Sequence, residues 1–95
     1  MKTGIDLINE ERKRQIEKEG YSYEHDDSHD SGELASAGAA YEYVFPQYWP
    51  WDLDSFNPRD EKSNLIRAGA LYQAEIERLQ RRIKEIANQL DFLNE

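Results

Sequence analysis

Seven consecutive residues, Glu24-His25-Asp26-Asp27-Ser28-His29-Asp30, hold both histidines of the chain and four carboxylates. Imidazole and carboxylate groups are ligands for zinc, manganese or iron, so His25, Asp26 and His29 form a candidate metal triad. The same string also reads as polar groups that touch a ligand, or as an Asp-rich turn that caps a following helix and pairs with Arg12 or Arg14. A second constellation is aromatic and cationic. Tyr21 and Tyr23 stand beside His25 and Asp26, Trp49-Pro50-Trp51 follows, and then come Arg59, Lys62 and Arg67. Aromatic faces stack on nucleobases for about 1–3 kcal/mol each, and guanidinium groups grip phosphate through paired hydrogen bonds. Arg59 and Lys62, three residues apart, share a helix face, whereas Arg67 is turned away from Lys62. Against this stands a simpler reading, in which the tryptophans close a small core and the cations pair with Asp52, Asp54 and Asp60.

Other chemistries lack their residues. Cysteine is absent, which removes thiol nucleophiles, disulfides and thiolate zinc sites. No serine sits in a Gly-x-Ser-x-Gly turn, and no glycine-rich loop carries the Lys-Ser/Thr pair of a phosphate loop. Glu10, Glu11, Glu17 and Glu33 do not fall at a convincing magnesium spacing. No catalytic residue and no cofactor is therefore expected, and the chain reads as a binder rather than an enzyme.

The elements that must position these groups fit in 95 residues, enough for one domain with a marginal core of its own. With no disulfide and no structural zinc to help, oligomerisation is the remaining route to stability. The net charge of −8 is uneven. Residues 1–57 carry 13 acids and 5 bases, while residues 58–95 carry 7 of each. That balance argues against a nucleic-acid polymer or an anionic membrane surface, but leaves room for a few bases in one pocket around a small anion. No long apolar run and no apolar leader is present, so a cytoplasmic protein is expected.

An all-α fold is expected, as a single domain over 1–95. Thr3 and Asp6 form a capping pair for a helix over 3–19, with Ile5, Ile8, Arg12 and Ile16 along one face and Gly20 at its end. Residues 21–30 read as a polar loop. Asp30 or Ser31 then caps a small-residue helix over 31–45, which stops at Pro46. Residues 46–57 form an irregular aromatic segment, because Pro46 and Pro50 break any regular element. Asn57-Pro58 opens a long helix over 58–93. Along it Leu65, Gly69, Tyr72, Ile76, Leu79, Ile83, Ile86, Leu90 and Leu93 alternate at spacings of four and three, a heptad seam. Such a helix is about 54 Å long and must overhang a domain roughly 30 Å across. A homo-oligomer is expected, its interface built from Tyr72, Ile76, Leu79, Ile83, Ile86, Leu90 and Leu93.

Two resemblances sharpen the expectation. Arg12-x-Arg14-Gln15, Gly20-Tyr21-x2-Glu24-His25-Asp26-Asp27-x-His29, Gly32-Glu33-Leu34-Ala35, Trp49-Pro50-Trp51, Pro58-x-Asp60 and Asn64-Leu65-Ile66-Arg67-Ala68-Gly69-Ala70-Leu71 resemble a widespread family of small phage- and prophage-encoded proteins, over about residues 10 to 80. More distantly, Arg14-x4-Glu19-Gly20-Tyr21-x-Tyr23 and Arg59-Asp60-Glu61-Lys62 are similar to the ryanodine-receptor repeat, a small helical module linked to nucleotide-like ligands. Tyr21 stands where that repeat usually has Trp, and the His-Asp string and the long seam are extra. The His-Asp string brushes against metal-dependent phosphohydrolases too, but their signature needs an earlier histidine, and none precedes His25. The resemblances imply a phage accessory protein in the infected host that encloses and sequesters a nucleotide-derived immune signal. Its expected contacts are Tyr21, Tyr23, His25, Asp26, Trp49, Trp51, Arg59, Lys62 and Arg67. The alternatives are an interaction adaptor working through the acidic face and the seam, and a metal-dependent nucleotide hydrolase on His25, Asp26 and His29.

Overall fold

The structure, a computed structural model, describes residues 1–93, with side chains described as far as Asp91. It is all-α: four helices and two 3-10 turns, with no strand among the described residues. Among the described residues no helix is long and apolar enough to cross a membrane.

Helix α1 runs Gly4–Lys18. Thr3 and Asp6 make a reciprocal capping box, each side chain accepting the other's backbone N–H. The helix buries only part of the expected stripe, Arg12 fully and Ile8 by half. Ile5 and Ile16 are exposed, and the buried positions are Arg12 and Gln15. The reason is an ion pair. Arg12 Nη2 lies 2.5 Å from Asp26 Oδ2, the two residues being 4% and 0% exposed. A carboxylate removed from water needs such a partner, so the polar residues take the inner face.

Asp26 sits in a short helix, α2, Tyr23–Asp27, inside the stretch expected as loop. Ser22 starts it by accepting the backbone N–H of His25, and the buried pair to Arg12 holds it down. Helix α3, Glu33–Tyr43, begins at Gly32 in the left-handed region (φ 85°), not at a side-chain cap from Asp30 or Ser31. Its small residues serve close packing. An added Cβ at Gly38 would come within 2.7 Å of the Tyr72 ring. Leu34, Ala37, Ala40 and Tyr41 meet Ala68, Leu71 and Ala74 of the last helix, and Trp49 closes the cluster. The aromatic segment folds as two 3-10 turns, Pro46–Tyr48 and Leu53–Ser55.

Helix α4 spans Glu61–Leu93, three residues later than an Asn57 cap implies. Asp60 does the capping: its carboxylate accepts from the backbone and hydroxyl of Ser63. Buried Asn64 explains the delay. Its side chain accepts from Arg59 N at 2.7 Å and donates to Arg59 O at 2.9 Å, so residue 59 cannot offer those groups to a helix.

Two stripes run along α4, one residue out of step. The inner one, Asn64, Ala68, Leu71, Glu75 and Arg78, is buried against the rest of the chain. The seam, Ile76, Leu79, Ile83, Ile86 and Leu90, is 41–65% exposed although more apolar. One residue is about 100° of rotation, enough to turn the seam off the core. Two seam positions nearer the helix start are used inside the chain. Gly69 faces Ile8 of α1, while Tyr72 lies on Gly38 and donates its hydroxyl to Glu42. Tyr72, expected at an interface between chains, thus packs within its own. The Leu93 side chain lies outside the described residues. At 33 residues α4 is about 50 Å long, and it sets the longest dimension of a molecule 53 × 34 × 21 Å in extent. The radius of gyration, 15.1 Å, exceeds the roughly 12 Å of a compact chain of this length.

Candidate functional site

The C-terminal half of α1, the end of the aromatic segment and the start of α4 meet around a cleft of about 160 Å³. Each wall is set by a local constraint. Tyr21 follows the α1 stop at Gly20, whose positive φ turns the chain back, and Tyr21 N donates to Gln15 O. Burial, with Glu19 nearby, pushes the Tyr21 hydroxyl pKa up to about 12. Tyr41 faces the cleft from α3 and accepts the Asn57 N–H at its hydroxyl. Trp49 supplies a third ring, but its indole N–H is spent on Asp52 O and Ser55 Oγ. Trp49 is a core residue with one edge on the cleft.

Three guanidinium groups line the same space: Arg14, Arg59 and Arg67. Arg14 is engaged by two carboxylates, Glu11 at 2.7 Å and Glu19 at 2.9 Å, which hold it further into its charged form. Arg67 stands 5.5 Å from the centre of the Tyr41 ring and donates to Asn57 O. Among the described residues neither Arg59 nor Arg67 forms an ion pair, and the Arg59 side chain makes no hydrogen bond. Asn64 fixes the Arg59 backbone and leaves its side chain exposed at the mouth. Gln15, 3% exposed, also lines the cleft. Its amide nitrogen donates to Glu11 and to Arg67 O, and its Oε1 has no partner among the described residues. A buried acceptor without a donor costs free energy of order 1–3 kcal/mol, which a ligand donor would relieve. A second groove of about 360 Å³ shares Glu11, Arg14, Arg59 and Arg67 and adds Leu7 and Ile66. The arginines are thus the neck between an aromatic chamber and a partly apolar one. The second groove by itself falls within the size range of small-molecule sites.

The residues expected to act together divide into four places. Tyr21, Trp49, Arg59 and Arg67 share the cleft. His25, Asp26 and Trp51 lie behind Tyr21. The Tyr21 and His25 rings stack at 4.7 Å, and Trp51 stands 5.6 Å from His25 and 5.2 Å from His29. Tyr23 is beneath the guanidinium of Arg81 at 4.7 Å, and Lys62 borders a separate apolar groove with Leu7, Ile8, Leu65 and Ile66. The metal triad does not assemble: among the described residues no three His, Asp or Glu side chains are grouped to hold an ion. Asp26 is committed to Arg12, with His25 Nδ1 3.0 Å from its other oxygen. Arg14, Gln15 and Tyr41 belong to the site without having been singled out for it. The signal for two of them was the Arg12-x-Arg14-Gln15 string, in which Arg12 faces the core and Arg14 and Gln15 face the cleft.

Compared with known proteins, the chain matches no family model, no curated protein and no solved structure.

Proposed function

We propose that the protein binds and sequesters a small phosphorylated, nucleotide-like molecule in the arginine-necked cleft. The observation that carries this reading is the convergence of Arg59 and Arg67, cations without a carboxylate partner among the described residues, on a space walled by Tyr21, Tyr41 and Trp49. Two guanidiniums suit one phosphate group, and the rings suit a base or other flat group beside it. The open acceptor of Gln15 adds a place for an amino or hydroxyl donor. The carboxylates nearest the neck are engaged with Arg14 and are poorly placed to work as a free general base, which favours storage over turnover. The resemblance to phage-encoded proteins supplies the biological setting: removal of a nucleotide-derived immune signal from the infected cell. A second reading, an interaction adaptor, draws on a different surface. Tyr43, Val44, Phe45 and Tyr48 are all exposed, with Phe45 and Tyr48 edge to face at 4.7 Å.

The test is to incubate the purified protein with a nucleotide-rich bacterial extract, re-purify it, denature it by heat and identify what is released by mass spectrometry. An unchanged nucleotide in stoichiometric amount, lost in an Arg59→Ala, Arg67→Ala double variant, is the expected result. Release of nothing would move the reading to the adaptor; release of degraded products would move it to a hydrolase.

A further inference from the structure

We infer that the seam of α4, from Ile76 to Leu90, is the interface of a homodimer. Ile76, Leu79, Ile83, Ile86 and Leu90 form a continuous Ile/Leu strip, 41–65% exposed, at heptad spacing. Among the described residues no element covers it. The last hydrogen bond from α4 to another element, among the described residues, is the paired contact of Arg81 with Asp27, and Arg81 also lies over Tyr23. Those contacts hold the opposite side of the helix, so the seam faces away from α2.

Charge selects the occupant. A chain of net charge −8 would resist pairing with itself if its acids lay near the contact. Here the excess lies in residues 1–57, and residues 58–95 carry 7 acids and 7 bases. The positions that flank a coiled-coil seam choose partners by charge. On α4 they are Gln80, Ala87 and Gln89, uncharged, with Glu75 already paired to Arg78 and Arg82 near Glu85. In a parallel pair, Arg82 faces Ala87 of the partner subunit. Such a border gives no purchase to an acidic or a basic foreign helix, and sets no like charges against each other in two identical ones. Ile76 and Ile83 at one seam position with Leu79 at the other favour two strands, against the pull of Ile86 and Leu90 towards larger bundles. The occupant is a second copy of this chain.

Sedimentation velocity across a hundredfold range of concentration tests this. The wild type should approach about 22 kDa, twice the 11.2 kDa of one chain. An Ile83→Glu, Leu90→Glu variant should need at least a hundredfold higher concentration to associate. Both positions lie beyond Arg81, so the core is untouched, and near-ultraviolet circular dichroism should show the aromatic packing unchanged. A wild type that stays monomeric at every concentration overturns the inference without reference to any variant. So does a trimer or larger assembly, or a dimer that the two glutamates leave intact. The inference is independent of the ligand, because Arg59 and Arg67 are not on the seam.

Discussion

At the scale of the residue, two buried polar groups matter most. Asp26 is fully buried and satisfied by Arg12 and by the neighbouring imidazole. Replacing it by Ala leaves the buried Arg12 with only the longer contact to Glu77, at 3.9 Å, and a bond to Tyr21 O, and should cost about 3–5 kcal/mol in urea unfolding. An Arg12→Leu, Asp26→Leu double variant should recover most of that loss; no recovery would show that the carboxylate has another partner. Asn64 is the other. It ties both backbone groups of Arg59, so Asn64→Ala should weaken ligand retention about as much as Arg59→Ala does, by tenfold or more, although Asn64 itself does not line the cleft. Equilibrium dialysis with the ligand released from the wild type measures both. The chemical types at the site were legible in the sequence: rings, arginines and their rough places. Which rings and which arginines meet was not. Trp49 and Trp51 have only Pro50 between them and face different surroundings, and Arg59 and Lys62 share no helix face, because Arg59 precedes the start of α4 and Lys62 lies on it.

At the scale of the element, the α1 capping box was readable because both its partners are local. The α3 and α4 starts were not. Gly32 uses backbone conformation in place of a side-chain acceptor, and Asn64 overrides the Asn57-Pro58 start from seven residues downstream of Asn57. The heptad was legible as a pattern, but its first positions proved to be shared with α1 and α3. The two close approaches make separable predictions. A methyl at Gly38 meets the Tyr72 ring, which is anchored through Glu42, whereas one at Gly69 meets the free end of Ile8. Gly38→Ala gains about 1 kcal/mol in helix propensity and loses about 1–3 in overpacking, so it should lower the melting temperature. Gly69→Ala should leave it unchanged or raise it. The reverse order, by calorimetry, would mean that the ring yields more easily than the isoleucine.

At the scale of the whole molecule, stability should fall in alkali before it falls elsewhere on the basic side. Burial pushes both Tyr21 and Tyr72 up to about 12, with Glu42 adding to the effect at Tyr72. A raised folded-state pKa means stability that is full below the ordinary tyrosine value of about 10 and lost as pH climbs through 12. Thermal melts between pH 9 and 12.5, with absorbance at 295 nm, should show that decline, and Tyr72→Phe should reduce it. The overall plan, a helical body with a helix too long for it, follows from arithmetic on the sequence alone. The cleft does not, because it is the meeting of segments fifty residues apart. One consequence is optical. Both tryptophans belong to one ring array, set edge to face at 5.1 Å, yet only Trp49 borders the cleft. With Trp51→Phe the chain keeps a single emitter at the wall of its binding space. Its emission colour and lifetime then report occupancy directly, in dilute solution and without any label.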